Sequence, residues 1–179
     1  MSCDHKNCCN KSDQLRQTLD ELDFERGIWA SAQCGDLERC QKLVKTGVDV
    51  NVEDNFGYTA LHYSARHGKL DVCKWLLREN AKVDAKTRSG GATPLHRACT
   101  TGHLEVVRLL LTYKADPEIK DADGKTALHR AAENQHDKIC ELLINQSHNP
   151  MALKRHIDKK NKLAVDYAKN DILKDLLKM

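Results

Sequence analysis

The sequence predicts an all-α repeat solenoid, a stack of paired short helices joined by hairpin loops. Three observations carry that prediction. The cluster around Thr59, Leu61 and His62 (GYTALHYSA, 57–65) returns as TPLHRAC at 93–99 and TALHRAA at 126–132, at intervals of 34 and 33 residues. Glycines keep step with it: Gly57, Gly91 and Gly124 lie two residues before each threonine, and Gly68 and Gly102 lie nine after. Between the clusters, LDVCKWLL (70–77), LEVVRLLL (104–111) and DKICELLI (137–144) place apolar residues at i, i+3 and i+4, one face of a helix. A residue needed for chemistry is normally needed once, whereas a cluster returning at a fixed period is a building unit.

Each unit then reads in order. Thr-x-Leu-His opens a first helix, and the pairs Ser64–Ala65, Ala98–Cys99 and Ala131–Ala132 are small enough for a neighbouring helix to approach closely. A glycine, or Gln135 in the third copy, breaks the run before the second helix. A polar turn follows, with Asp-x-x-Gly-x-Thr at 54–59 and 121–126, where the glycines and Pro117 exclude continuous helix. Neither helix can bury its stripe alone, so the units must stack. Stepping back one period finds a degenerate unit at RGIWASAQCG (26–35), and KLAVDYAKN (162–170) is a shortened last one with Asp166 in the histidine's place. The expected units are 25–57, 58–91, 92–124, 125–160 and 161–179. Ahead of them, Ser12 is a good N-cap and Leu15, Leu19 and Leu22 share a face, which predicts a capping helix over 12–24. Residues 1–11 read as a disordered, Cys-rich tail.

A period of 33 carrying T-P-L-H-x-A resembles the ankyrin repeat family, from about residue 26 to the end of the chain. The resemblance implies that Thr59, His62, Thr93, His96, Thr126 and His129 are structural, bonding locally and to the next repeat's turn. It also implies a non-enzymatic protein-interaction module, an adaptor or scaffold that meets its partner on a concave surface of hairpin tips and first-helix faces. The positions free of packing duty there are Asn55, Phe56, Tyr58, Arg66 and His67; then Arg88, Ser89, Ala92, Thr100 and Thr101; then Ala122, Asp123, Lys125, Glu133 and Asn134. Aromatic and arginine side chains dominate interface energetics, so the expected centre is Phe56, Tyr58, Arg66 and His67, extending towards Arg88. LVKTGVDVN (43–51) further resembles ankyrin sequence around asparagines modified by the oxygen-sensing asparaginyl hydroxylase. Asn51 is then the eligible residue, Asp84 and Glu118 standing there in other units.

Composition bounds the remaining function classes. The chain has 179 residues, 40% hydrophobic and 31% charged, enough for one domain or one array. A net charge of +3 with 4% aromatics gives no footing for nucleic-acid binding, although the basic run KRHIDKKNK (154–162) could serve nuclear import or an acidic partner. That run is read as a solvated loop in the linker to the last unit. No apolar run approaches the roughly 20 residues a membrane helix needs, and the start of the chain lacks a secretory h-region. A monomer in the cytoplasm, the nucleus or both is expected, with reduced thiols.

Of eight cysteines, Cys40, Cys73 and Cys140 align with Val107, which marks a small buried apolar site. The cluster Cys3, His5, Cys8 and Cys9 offers four zinc-type ligands, although adjacent Cys8 and Cys9 strain a single tetrahedral site. No cofactor other than zinc there is expected. A metal- or redox-linked regulator built on that cluster is the alternative function. No nucleophile–base pair, phosphate loop or HExxH stands outside the repeat pattern, so no enzyme is expected.

Overall fold

In the three full units the first helix starts on the motif threonine. Thr59, Thr93 and Thr126 are extended N-caps, and in each the hydroxyl and the histidine three residues on form a reciprocal capping box. They open α3 (Ala60–Arg66), α5 (Pro94–Thr101) and α7 (Ala127–Glu133), where Pro94 occupies a first-turn position that needs no N–H. The computed structural model describes residues 27–178. The expected tail over 1–11, the capping helix over 12–24 and the cluster Cys3, His5, Cys8 and Cys9 lie outside the described residues.

Among the described residues there are ten α-helices, one 3-10 turn and no strand. The degenerate first unit supplies α1 (Ile28–Cys34) and α2 (Leu37–Lys45). The second helices of the three full units are α4 (Leu70–Arg78), α6 (Leu104–Thr112) and α8 (Asp137–Gln146). Then come α9 (Pro150–Arg155), the 3-10 turn Ala164–Tyr167 and α10 (Asp171–Leu177). Helices α1, α3, α5, α7 and the 3-10 turn pack in one row, and α2, α4, α6, α8 and α10 in a second. Helices of six to ten residues are too short to persist alone in water, so packing between units holds them.

The core runs the length of the stack. Leu61, Leu95 and Leu128 of the motifs, with Leu76, Leu110 and Leu143 of the second helices, are almost fully buried. Cys40, Cys73, Val107 and Cys140 occupy one equivalent site in successive units, and all are fully buried. Burial pushes the Cys40 and Cys140 thiols up to about 12 and Cys73 to about 11. These thiols pack as small apolar groups and are not poised as nucleophiles.

Two kinds of turn set the spacing between units. Gly68 has φ +66, and a Cβ built on it would lie 2.5 Å from Nδ1 of His103 in the next unit. That imidazole caps the neighbouring turn, its Nε2 donating to the Arg66 carbonyl at 3.0 Å. Gly68→Ala must therefore accept a left-handed backbone and displace the ring, so a loss of about 2 kcal/mol is expected in urea unfolding. Gln135 takes the glycine's place at φ +59. Its amide is used instead, donating to the Tyr167 carbonyl at 3.0 Å and accepting from Lys169 N–H at 2.8 Å.

The basic run departs from its expected form. Lys154 and Arg155 end α9, which Asn149 caps by accepting from Ala152 N–H at 3.0 Å. Residues 158–162 form a fourth hairpin, with Asp158 buried and Asn161 at φ +55 where earlier hairpins have glycine. Asn149-Pro150 was the available sequence signal for the extra helix, since proline favours the first helical position after such a cap.

Candidate partner-binding surface

The motif histidines are placed to hold the stack. At each boundary Nδ1 accepts the backbone N–H of the motif threonine, at 3.1 Å for His62, 3.2 Å for His96 and 3.3 Å for His129. A backbone N–H can only donate, so that nitrogen carries no proton and the ring is the neutral Nε2–H tautomer. Nε2 then donates across the boundary to the carbonyl of Ala92 at 3.0 Å, of Lys125 at 3.1 Å and of Lys162 at 3.2 Å. Burial lowers the pKa of all three, His62 to about 4 with the Arg97 charge assisting. The imidazoles are distributed one per boundary along the array. In the last unit Asp166 keeps only the local half of this arrangement, accepting Leu163 N–H at 2.8 Å.

The hairpins share a second device. Asp54, Asp121 and Asp158 each accept two backbone N–H groups of their own turn on one oxygen, at 2.8–2.9 Å. The other oxygen takes the residue nine positions on: the Tyr63 hydroxyl at 2.6 Å, Arg130 through Nε and Nη2 at 2.8 and 2.6 Å, and the Tyr167 hydroxyl. The second hairpin differs. It is one residue longer, the source of the 34-residue interval, and Thr87 stands where the others have aspartate. Its hydroxyl accepts only Ala92 N–H, at 3.1 Å. Arg97, the counterpart of Arg130, consequently has no aspartate. It turns to the previous unit, lying 4.9 Å from the centre of the Tyr58 ring with Nη2 donating to the Tyr58 hydroxyl. Backbone bonds clip the tips together: Arg88 N–H to Phe56 carbonyl at 2.9 Å, Ala122 to Gly90 at 2.8 Å, Lys159 to Asp123 at 2.9 Å.

Against this frame the residues nominated from sequence divide into two groups. Phe56 is 66% exposed at the first tip, and Asn55, Arg66, His67, Ser89, Thr101, Ala122, Asp123 and Asn134 are also exposed. Arg88 is exposed but bonded to the previous tip, through the Asn55 carbonyl and Glu53 at 3.3 Å each. Tyr58, expected near the centre of the contact patch, is instead half-buried beneath Arg97 and against Tyr63, with ring centres 5.4 Å apart. Lys125 is 5% exposed, pairing with Glu133 at 2.8 Å and sitting 4.4 Å from the Tyr167 ring centre. Lys125, the half-buried Glu133 and the buried Ala92 are thus committed within the stack. Thr100 is half-buried and bonds the His96 carbonyl at 2.8 Å. Missed from sequence was Arg97, whose signal was the absent aspartate in its hairpin.

Asn51 is also engaged. Its Oδ1 accepts Lys82 N–H at 2.7 Å and its amide donates to the Asn80 carbonyl at 3.3 Å. Those partners belong to the following unit's loop, not to its own hairpin.

Comparison with known proteins places this arrangement. The family model for ankyrin repeats matches residues 28–121 and 113–179. The chain is 48% identical over 83 residues to human ankyrin repeat domain-containing protein 39, a match covering 45% of each protein. It is 41% identical over 97 residues to Drosophila melanogaster palmitoyltransferase Hip14, covering 54% of this chain and 15% of that enzyme. The human palmitoyltransferase ZDHHC13 is 39% identical over 97 residues, with 16% of its length covered. The matches therefore span less than half of each relative. With the family model covering most of its length and the threonine–histidine boundaries in register, the chain belongs to the ankyrin repeat family.

Proposed function

We propose that this protein is a non-enzymatic interaction module that binds a partner protein across its hairpin tips and first-helix faces. The observation that carries the reading is Phe56. A large aromatic that is 66% exposed at a tip clipped rigidly to its neighbour is an interface anchor without a packing role. Arg66 and His67, exposed at the end of α3, extend the patch along the first helices. The acyl-transfer activity named in Hip14 and ZDHHC13 is not carried over, because the shared stretch is about one sixth of those enzymes. Among the described residues no helix is long and apolar enough to cross a membrane.

Affinity capture from cells with the intact chain, beside a Phe56→Ala/Arg66→Ala variant, tests the proposal. The variant should lose about 2 kcal/mol of binding to the recovered partner, roughly thirtyfold in Kd. Its thermal midpoint should stay unchanged, since neither side chain belongs to the core. Equal capture by both proteins would remove this surface from consideration.

A further inference from the structure

We infer that the pocket between the second and third hairpins binds a carboxylate, an aspartate or glutamate side chain in an acidic segment of the partner protein. The inference rests on the reading of this surface as the partner-binding one. The pocket measures about 320 Å³ and is lined by Gly90, Ala92, Arg97, Thr100, Asp121 and Arg130 among others. It exists because the second tip is Ser89-Gly90-Gly91 and faces Ala122, so little side chain fills the space.

Its two arginines are in opposite states. Arg130 is satisfied, with Asp121 at 2.6 Å and Asp123 at 2.7 Å. Asp121 is itself saturated, one oxygen holding two backbone N–H groups and the other Arg130. Asp123 gives one oxygen to Arg130 and is bonded to no atom of Arg97. Among the described residues Arg97 bonds no carboxylate, its one bonded acceptor is the Tyr58 hydroxyl, and its Nε is buried with no hydrogen-bond partner. The equivalent Nε of Arg130 donates to aspartate at 2.8 Å. A guanidinium over an aromatic ring, with no carboxylate bonded to it and a pocket beside it, is preorganised for a carboxylate. Planar donors match that group and a charge-assisted bond is stronger than a neutral one. The partner's acid thus supplies what the long second hairpin lost.

The test titrates the full chain with an acetylated, amidated Gly-Glu-Gly-Glu-Gly peptide, its glutamine counterpart, and sodium acetate at matched carboxylate, read by backbone amide NMR. Saturable shifts at Gly90, Ala92, Thr100 and Ala122 are expected with the glutamate peptide alone. Thr87→Asp, which restores the acid other hairpins carry and leaves Arg97 in place, should weaken binding at least about tenfold, as should Arg97→Gln. Indistinguishable glutamate and glutamine peptides would overturn the inference, and so would an equal response to acetate. Binding that survives Thr87→Asp but is lost in Phe56→Ala would place the anchor at the first tip. That result would sink the pocket and leave the wider surface standing.

Discussion

Acidification from pH 6.5 towards 4 is expected to strip this protein of stability before Asp158 takes up a proton. In the unfolded chain a histidine takes up a proton near its ordinary value of 6.5, while folded His62 resists until about 4. The unfolded state therefore binds more protons throughout that window, so stability falls as pH falls and the loss is complete below the folded value. For His62 alone the difference corresponds to roughly 3 kcal/mol, and His96 and His129 shift in the same direction for the same reason. The chemistry is direct. A proton on Nδ1 would point at the backbone N–H of the motif threonine, two donors facing each other where the ring is buried. Asp158 titrates later. Burial pushes its pKa up, but the Tyr167 hydroxyl and the N–H groups of Lys162 and Lys160 outweigh this and hold it at about 2. Its stabilisation is present above its ordinary value of 3.8 and is lost only as pH falls towards 2. Urea midpoints measured across both windows should show two stages, the larger one first. Stability that stays flat until the carboxylate window would contradict the tautomer assignment.

His96→Ala is expected to be among the most damaging single changes, at about 3–5 kcal/mol. It strands the buried N–H of Thr93 and the carbonyl of Lys125, each costing about 1–3 kcal/mol when unpaired, and it empties the space of a ring only 2% exposed. His96→Asn should recover the local part. Asp166 already shows in this chain that a short side chain three residues after the cap can accept the cap's N–H. It cannot reach the next unit, so the remaining deficit measures the bond between repeats. Urea unfolding of both variants separates the terms. An asparagine variant no better than alanine would mean that the cap contributes nothing at this boundary.

Much of this was legible without coordinates because it depends on neighbours in sequence. The period, the two helices per unit, the paired roles of threonine and histidine, and the buried thiol site follow from spacing of a few residues, repeated. Position 107 accepting valine where 73 and 140 have cysteine was enough to place those thiols in the core. The engagement of Tyr58 and Lys125 within the stack was not legible, for the opposite reason. Whether a hairpin side chain is free depends on what the adjoining unit offers. Tyr58 is covered by Arg97, 39 residues away, and Lys125 lies over Tyr167.

The sequence alone determined that this chain is a stack of ankyrin-type units with structural histidines at their boundaries, because capping and amphipathic spacing are local rules obeyed in each full copy. Only the tertiary structure decided which surface residues remain available and where a charge is left unpaired. Those outcomes are differences between stacked neighbours, such as an aspartate present in one hairpin and missing from the next. They take effect only when the two arginines that would use it are brought to the same pocket.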